Sequence, residues 1–228
     1  MMPDLTFPQD SAQARLTAEE FSARALPRLL PLTEEASSGR EATQEVVLAG
    51  DHRLDDARPF ILDPANIRPA AVLIPVVARG EATLLLTERA SGLAVHAGQV
   101  AFPGGRIEEG ETPLAAALRE AHEEIGLEPD RVSPLGALAP YLTGTGFRVT
   151  PIVALVDPAH HLVLNPNEVA RVFEPPLSFL MNPANHEVRS RELRGRTRRF
   201  YAMPWQGHDI WGATAGMIRA LYERVYGS

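Results

Sequence analysis

Between Pro113 and Ile125 the chain carries a pattern that permits one local structure. At about 100° per residue, Leu114, Ala117, Leu118, Ala121 and Ile125 gather on one side, and Glu120, Glu123 and Glu124 on the other. Both ends are marked: Thr112 is an N-cap residue, Pro113 suits the first turn, and Gly126 is a helix terminator. The spacing therefore predicts a helix over 113–125. An acidic face of this kind most often does nothing but face water. Here Glu120 and Glu124 are four apart, one turn above each other, and stacked like charges cost a helix a few tenths of a kcal/mol per pair. Such hard oxygen groups suit Mg²⁺ or Mn²⁺, which would remove the repulsion and bridge to phosphate oxygens. Glu111 approaches the same cluster if its loop folds back. Arg119, one turn before Glu123, is placed to orient a carboxylate through a two-pronged contact.

The rest of the chain supplies strands around this helix. Ala70–Ala78 is an apolar, β-branched run, and the turn Arg79-Gly80-Glu81 leads to a second strand at Thr83–Thr87. Together they predict a hairpin at the domain edge, with Pro75 marking an edge position or a bulge. Further strands are expected at Leu135–Ala139, Val149–Val156 and Phe200–Met203. A closing helix is expected over Trp211–Val225, with Trp211, Ala215, Ile218, Tyr222 and Val225 at helical spacing. Near the start, Thr17 caps a helix whose buried stripe would be Phe21, Ala25, Leu29 and Leu30. A polar stretch with a break at Ser37 follows. Residues 1–68 read as an N-terminal helical extension and 69–228 as the main domain, of α/β or α+β sandwich type.

Composition narrows the partners. Net charge is −7 across 228 residues, which disfavours a nucleic acid polymer and leaves a small phosphorylated ligand allowed. There is no cysteine, so disulfides, thiolate nucleophiles and cysteine-ligated zinc are excluded. No apolar run is long enough for a membrane helix, and the first ten residues lack the pattern of a secretory signal. A cytoplasmic protein without a membrane partner is expected.

The stretch from Gly105 to Leu127 resembles the Nudix box: Gly, five residues, Glu, seven residues, Arg-Glu, an aliphatic residue, any residue, Glu-Glu, any residue, Gly, an aliphatic residue. Gly105, Glu111, Arg119, Glu120, Glu123, Glu124, Gly126 and Leu127 fall in register. Ala121 departs from it, standing where a larger aliphatic residue is usual. The resemblance implies the Nudix fold, a mixed β-sheet sandwiched between α-helices, and hydrolysis of a nucleoside diphosphate linked to another group. It implies Glu120 and Glu124 as ligands of Mg²⁺ or Mn²⁺, with Glu123 close by and Arg119 positioning a carboxylate. It also implies that Gly105 lets backbone come near metal or phosphate. The general base varies in the family, and Glu123 and Glu168 are both candidates.

Upstream, Leu85-Leu86-Thr87-Glu88-Arg89-Ala90, Gly98 and Phe102-Pro103-Gly104-Gly105 resemble the motif of the coenzyme A pyrophosphatase branch. One fixed position differs, Ala94 standing where a second Arg is expected. The likeness implies that Arg89, His96, Gln99, Gly104 and Gly105 meet the substrate; a lone histidine before a Gly-Gln turn is read equally as a loop anchor. It implies coenzyme A or its derivatives as substrate, with 3′,5′-ADP and 4′-phosphopantetheine as products. Ala94 keeps open another nucleoside diphosphate derivative: ADP-ribose, NADH or a dinucleoside polyphosphate. A non-catalytic nucleotide-sensing module is disfavoured because no box carboxylate is lost. Arg189, Arg191, Arg194, Arg196, Arg198 and Arg199 form a basic cluster, read either as a phosphate contact or as a solvated hairpin. A homodimer is allowed, as related proteins are often dimers.

Overall fold

β1 (Arg68–Val77) is buried on both faces and organises the fold. A computed structural model describes residues 15–32, 49–50, 54, 67–90, 98–193 and 196–227. The Ser37 break, Ala94, His96 and Arg194 lie outside the described residues. β1 runs parallel to β8 (Phe147–Val156), from Arg68 opposite Phe147 to Val77 opposite Val156. Side chains alternate along a strand, so one run feeds two cores. Ile74 and Val76 join one apolar cluster with Phe21, Ile218 and Leu221. Leu73 and Val77 join the other with Ala117, Ala121 and Ile125.

Antiparallel strands complete a six-stranded mixed sheet. β2 (Thr83–Leu84) and β5 (Gly104–Arg106) pair with β1; β6 (Val132–Ala137) and β7 (Tyr141–Leu142) pair with β8. A second sheet is β4 (Val100–Ala101), β3 (Leu86–Arg89) and β9 (Val169–Phe173). A third is β10 (Glu187–Leu193), β11 (Arg196–Trp205) and β12 (His208–Trp211). Helix α1 (Ala18–Ala25) packs with the closing helix on one side of the main sheet, and α2 (Pro113–Ile125) lies on β1, β5 and β8 on the other. This is the expected mixed sheet between helices. α3 (Leu177–Leu180) and α4 (Ala213–Tyr226) are the remaining α-helices among the described residues.

Several expectations change. Pro75 marks neither an edge nor a bulge, since β8 lies along one side of β1 throughout. Its carbonyl accepts the Leu85 amide at 3.0 Å. The missing N–H points to the same side, where β1 changes partner from β5 at Ala70–Val72 to β2 at Val76–Val77. The single strand expected at Thr83–Thr87 is broken at Leu85, whose amide is spent on Pro75, and the chain crosses into the second sheet. Trp211 is on β12, not on the closing helix, because Gly212 at φ 63° turns the chain before Ala213. In the first helix Thr17 caps as expected, accepting the Glu20 amide at 3.2 Å. Phe21, Ala25 and Leu29 are buried, whereas Leu30 is exposed because its backbone pairs with Ala137. The arginine cluster lies on the β10–β11 hairpin, where Arg191 stands opposite Arg198 and Arg189 is paired with Glu187 and Asp209.

Candidate active site

Helix α2 ends as its sequence requires. Thr112 Oγ1 accepts the Ala115 amide at 3.1 Å, and Gly126 closes the helix at φ 66°. The residues sealed against the sheet are mostly small: Ala116, Ala117, Ala121 and Ile125, with Leu114 and Leu118 only partly buried. Alanines let the helix lie close to β5, and Ala121 belongs to that close seam.

This proximity divides the three glutamates. Glu124 is 4% exposed, so it turns inward and does not lie on the outer acidic face. Its Oε2 accepts the Gly104 amide at 3.3 Å, and Arg89 Nη1 stands 4.0 Å from its Oε1. Burial pushes its pKa up to about 7, against the lowering pull of the Gly104 amide; Glu120 raises it further, Arg89 lowers it and Glu168 raises it. Glu120 is half-buried, and burial also raises its pKa, against the opposing hydrogen bond from Arg119; Glu123 and Glu168 add repulsion. Glu123 is exposed and holds Arg119 at 3.2 Å.

Arg119 makes its fork with Glu111, through Nε at 2.9 Å and Nη2 at 3.0 Å. Nη1 reaches Glu120 at 3.0 Å and Nη2 the Arg106 carbonyl at 3.0 Å. The hydrogen bonds from Arg119 hold the Glu111 carboxyl below its ordinary range. The loop before the helix does fold back, as Glu111 also accepts the Glu108 amide at 3.0 Å. The one-turn spacing to Glu123 thus gives a single contact, and the two-pronged one goes to a residue outside the helix.

Two glycines make the seam possible. A Cβ at Gly105 would fall on the Glu120 carboxylate; a Cβ at Gly104 would meet the Ala71 carbonyl and Val72 backbone. The group brought close at Gly105 is therefore Glu120 itself. Gly105→Ala is expected to fold, because a carboxylate end can move aside, and to lose about tenfold or more in turnover as Glu120 is displaced. Gly104→Ala meets backbone at φ 153° and is expected to cost about 2–3 kcal/mol of stability. Thermal unfolding set beside steady-state rates separates the two; a Gly105→Ala protein with wild-type turnover would contradict the account of the seam.

Glu168 reaches the same place from a distant loop. Its repulsion is felt by both Glu120 and Glu124. Its carbonyl accepts the Ala90 amide at 2.9 Å, fixing the loop to the end of β3 beside Arg89. Arg89 Nε is buried without a hydrogen-bond partner among the described residues. The Gln99 carbonyl accepts the Arg89 amide at 3.0 Å. Among the sequence candidates the structure thus gathers Arg89, Gly104, Gly105, Arg119, Glu120, Glu124 and Glu168, with Gln99 joined to Arg89 through its backbone and Glu123 on the solvent side.

No three acidic or imidazole groups among the described residues bracket an ion as they stand. The donor set nonetheless suits a hard dication: buried Glu124, half-buried Glu120 and neighbouring Glu168 repel one another, and among the described residues the cationic side chain paired with Glu124 stands 4.0 Å away. Sequence reasoning missed Asn165, whose Nδ2 donates to Glu168 Oε1 at 3.0 Å. It also missed a separate cleft of ≈ 450 Å³ lined by Glu88, Arg171, His208 and Trp211, which excludes the carboxylates of α2. Only the Asn-Pro turn at 165–166 hinted at the first; the second is assembled from residues far apart in the chain. Among the described residues no helix is long and apolar enough to cross a membrane.

Comparison with known proteins points the same way. The model of the NUDIX domain matches residues 67–194. An Enterobacter sp. (strain 638) protein described as "Uncharacterized Nudix hydrolase NudL" is 46% identical over 164 residues, spanning 72% of this chain and 85% of that one. A protein of the same description from Citrobacter koseri is 45% identical over 161 residues, spanning 70% and 84%. Among solved structures, the Nudix hydrolase RenU from M. smegmatis aligns at TM-score 0.42 and 28% identity, over 48% of this chain and 71% of that one. DR0079 from Deinococcus radiodurans aligns at 0.47 and 20% identity, over 77% and 98%.

Proposed function

We propose, since this chain belongs to the Nudix hydrolase family, that it is a metal-dependent pyrophosphohydrolase acting on coenzyme A or its derivatives. The observation that carries the hydrolytic reading is Glu124, buried with a pKa near 7 among like charges. A carboxylate kept in so unfavourable a place is a marker of function. The coenzyme A reading rests on the Leu85–Gly105 motif, whose Arg89 stands beside Glu124 with its guanidinium partly open to solvent.

Glu120 and Glu124 would hold Mg²⁺ or Mn²⁺, which supplies charge neutralisation at the pyrophosphate and acidifies a bound water. Glu168 accepts the proton as water oxygen attacks one phosphorus in line and the bridging P–O bond breaks. It is favoured over Glu123 as the base because Glu123 is exposed and tied to Arg119. Arg89 binds a phosphate oxygen with the part of its guanidinium that stays open to solvent. Arg119, anchored on Glu111, holds Glu120 in place. The products from coenzyme A are 3′,5′-ADP and 4′-phosphopantetheine. The reading places the protein in the cytoplasm, as a monomer or homodimer.

A substrate panel tests this: coenzyme A, ADP-ribose, NADH and a dinucleoside polyphosphate, each with Mg²⁺ and with Mn²⁺. The highest kcat/KM is expected for coenzyme A. A higher value for another member would reassign the substrate, and Ala94 favours that outcome by lacking one phosphate donor. Arg89→Gln is expected to raise KM about 10- to 100-fold, the worth of one charge-assisted hydrogen bond. An unchanged KM would remove Arg89 from substrate binding.

A further inference from the structure

We propose that Asn165 is a positioning residue that fixes the Glu168 carboxylate relative to the acidic helix. The inference rests on the reading of Glu168 as general base.

The loop carrying both residues is fastened to the C-terminal end of α2. The Val163 amide donates to the Ile125 carbonyl and the Asn165 amide to the Glu124 carbonyl, both at 2.9 Å. Gly126 makes the crossing possible, since a Cβ there would meet the Val163 backbone. The main chain of Asn165 is therefore bonded to the residue whose carboxylate is buried in the site. Its side chain divides in two. Oδ1 accepts the Asn167 amide at 3.2 Å, which shapes the turn. Nδ2 donates to Glu168 Oε1 at 3.0 Å. The Asn165 carbonyl accepts the Glu168 amide at 3.0 Å and the Val169 amide at 2.9 Å.

Without a tether Glu168 has little to hold it beside the acidic helix. Glu120 and Glu124 repel it, and its side chain has several rotamers that reach water. One neutral N–H on Oε1 selects the rotamer near the acidic pair and leaves Oε2 to take a proton. A neutral donor suits this purpose: an arginine or lysine would hold the carboxylate more tightly but weaken it as a base. Because Asn165 also grips Glu124 through its backbone, helix and base move together.

Asn165→Asp separates positioning from turn structure. Aspartate keeps an oxygen for the Asn167 amide, loses the N–H, and sets a like charge against Glu168. The expected result is a kcat lower by about tenfold or more, part of the 10²–10⁴ that a general base contributes. KM should stay within about twofold, and Tm within a few degrees. Asn165→Ala should lose a similar factor in kcat and some stability as well, because the turn goes too. In a crystal structure of Asn165→Asp the Glu168 carboxylate should have left its place. Wild-type kcat in Asn165→Asp, or a Glu168 carboxylate that has not moved, overturns the proposal. Glu168→Gln distinguishes the two failures. If it turns over at the wild-type rate, Glu168 is not the base and the inference falls with that reading; if it is impaired while Asn165→Asp is not, only the inference falls.

Discussion

Glu124→Gln is expected to lower kcat with Mg²⁺ or Mn²⁺ by about three orders of magnitude or more. Glutamine has the shape of glutamate, and its oxygen can still accept the Gly104 amide that now sits 3.3 Å from Oε2. Packing around this buried side chain is therefore preserved, and what is lost is the negative charge. A dication at a phosphoryl centre contributes several kcal/mol to the transition state, and each 1.4 kcal/mol is about tenfold in rate. Glu120→Gln should behave similarly, though less severely, since Glu120 is more open to solvent and already shares Arg119. Glu123→Gln should lose least, its carboxylate being exposed and bonded only to Arg119 in the described structure. The measurements are product release across a metal titration and Mn²⁺ affinity by calorimetry. Turnover within tenfold of wild type in Glu124→Gln, at saturating metal, would mean that the buried carboxylate is not a ligand.

The ranking of the three glutamates shows where sequence reading stops. Helix α2 was legible to the residue: Thr112, Pro113 and Gly126 are local signals, and the structure places its ends at Pro113 and Ile125. The four-residue spacing of Glu120 and Glu124 was legible for the same reason. At about 100° per residue, however, Glu124 falls only about 20° from Ala117, at the margin of the apolar side, and about 100° from Glu123, and the wheel cannot say whether so marginal a position is covered. That is decided by β5 and the loop at 163–165, which cover Glu124 from positions distant in sequence. Arg119 was read from its helix neighbours, yet its fork closes on Glu111, because a loop brought a better-aligned carboxylate than the next turn offers. Pro75 failed as an edge signal for a similar reason: its missing donor falls at the change of partner between β5 and β2, which no local pattern encodes. The contact between Arg89 and Glu124 belongs to the same non-local class, whereas that between Asn165 and Glu168 spans three residues and shows only once the turn between them is known.

The substitution that abolishes turnover is also expected to stabilise the metal-free protein. Burial raises the Glu124 pKa from 4.5 to about 7, so between these values the folded chain holds a proton that the unfolded chain has released. The stability that Glu124 contributes is therefore fully present below about pH 4.5, is lost as pH rises through about 7, and does not change further above it. The rise from 4.5 to about 7 corresponds to about 3 kcal/mol, each tenfold in proton affinity being worth about 1.36 kcal/mol. Glutamine does not titrate, so Glu124→Gln should exceed wild type by about that amount at pH 8 and match it near pH 4. For a chain of this size the difference at pH 8 is about 6–12 °C in Tm. Glu111, whose pKa is lowered by Arg119, acts in the opposite sense and only below its ordinary range, outside this window. Thermal unfolding in chelator at pH 5, 6, 7 and 8 reads the effect, and adding Mn²⁺ at pH 8 should raise the Tm of wild type alone. If the two proteins keep the same Tm difference at every pH in chelator, Glu124 carries no buried-charge penalty. The strongest physical reason for placing a cation beside it would then be gone.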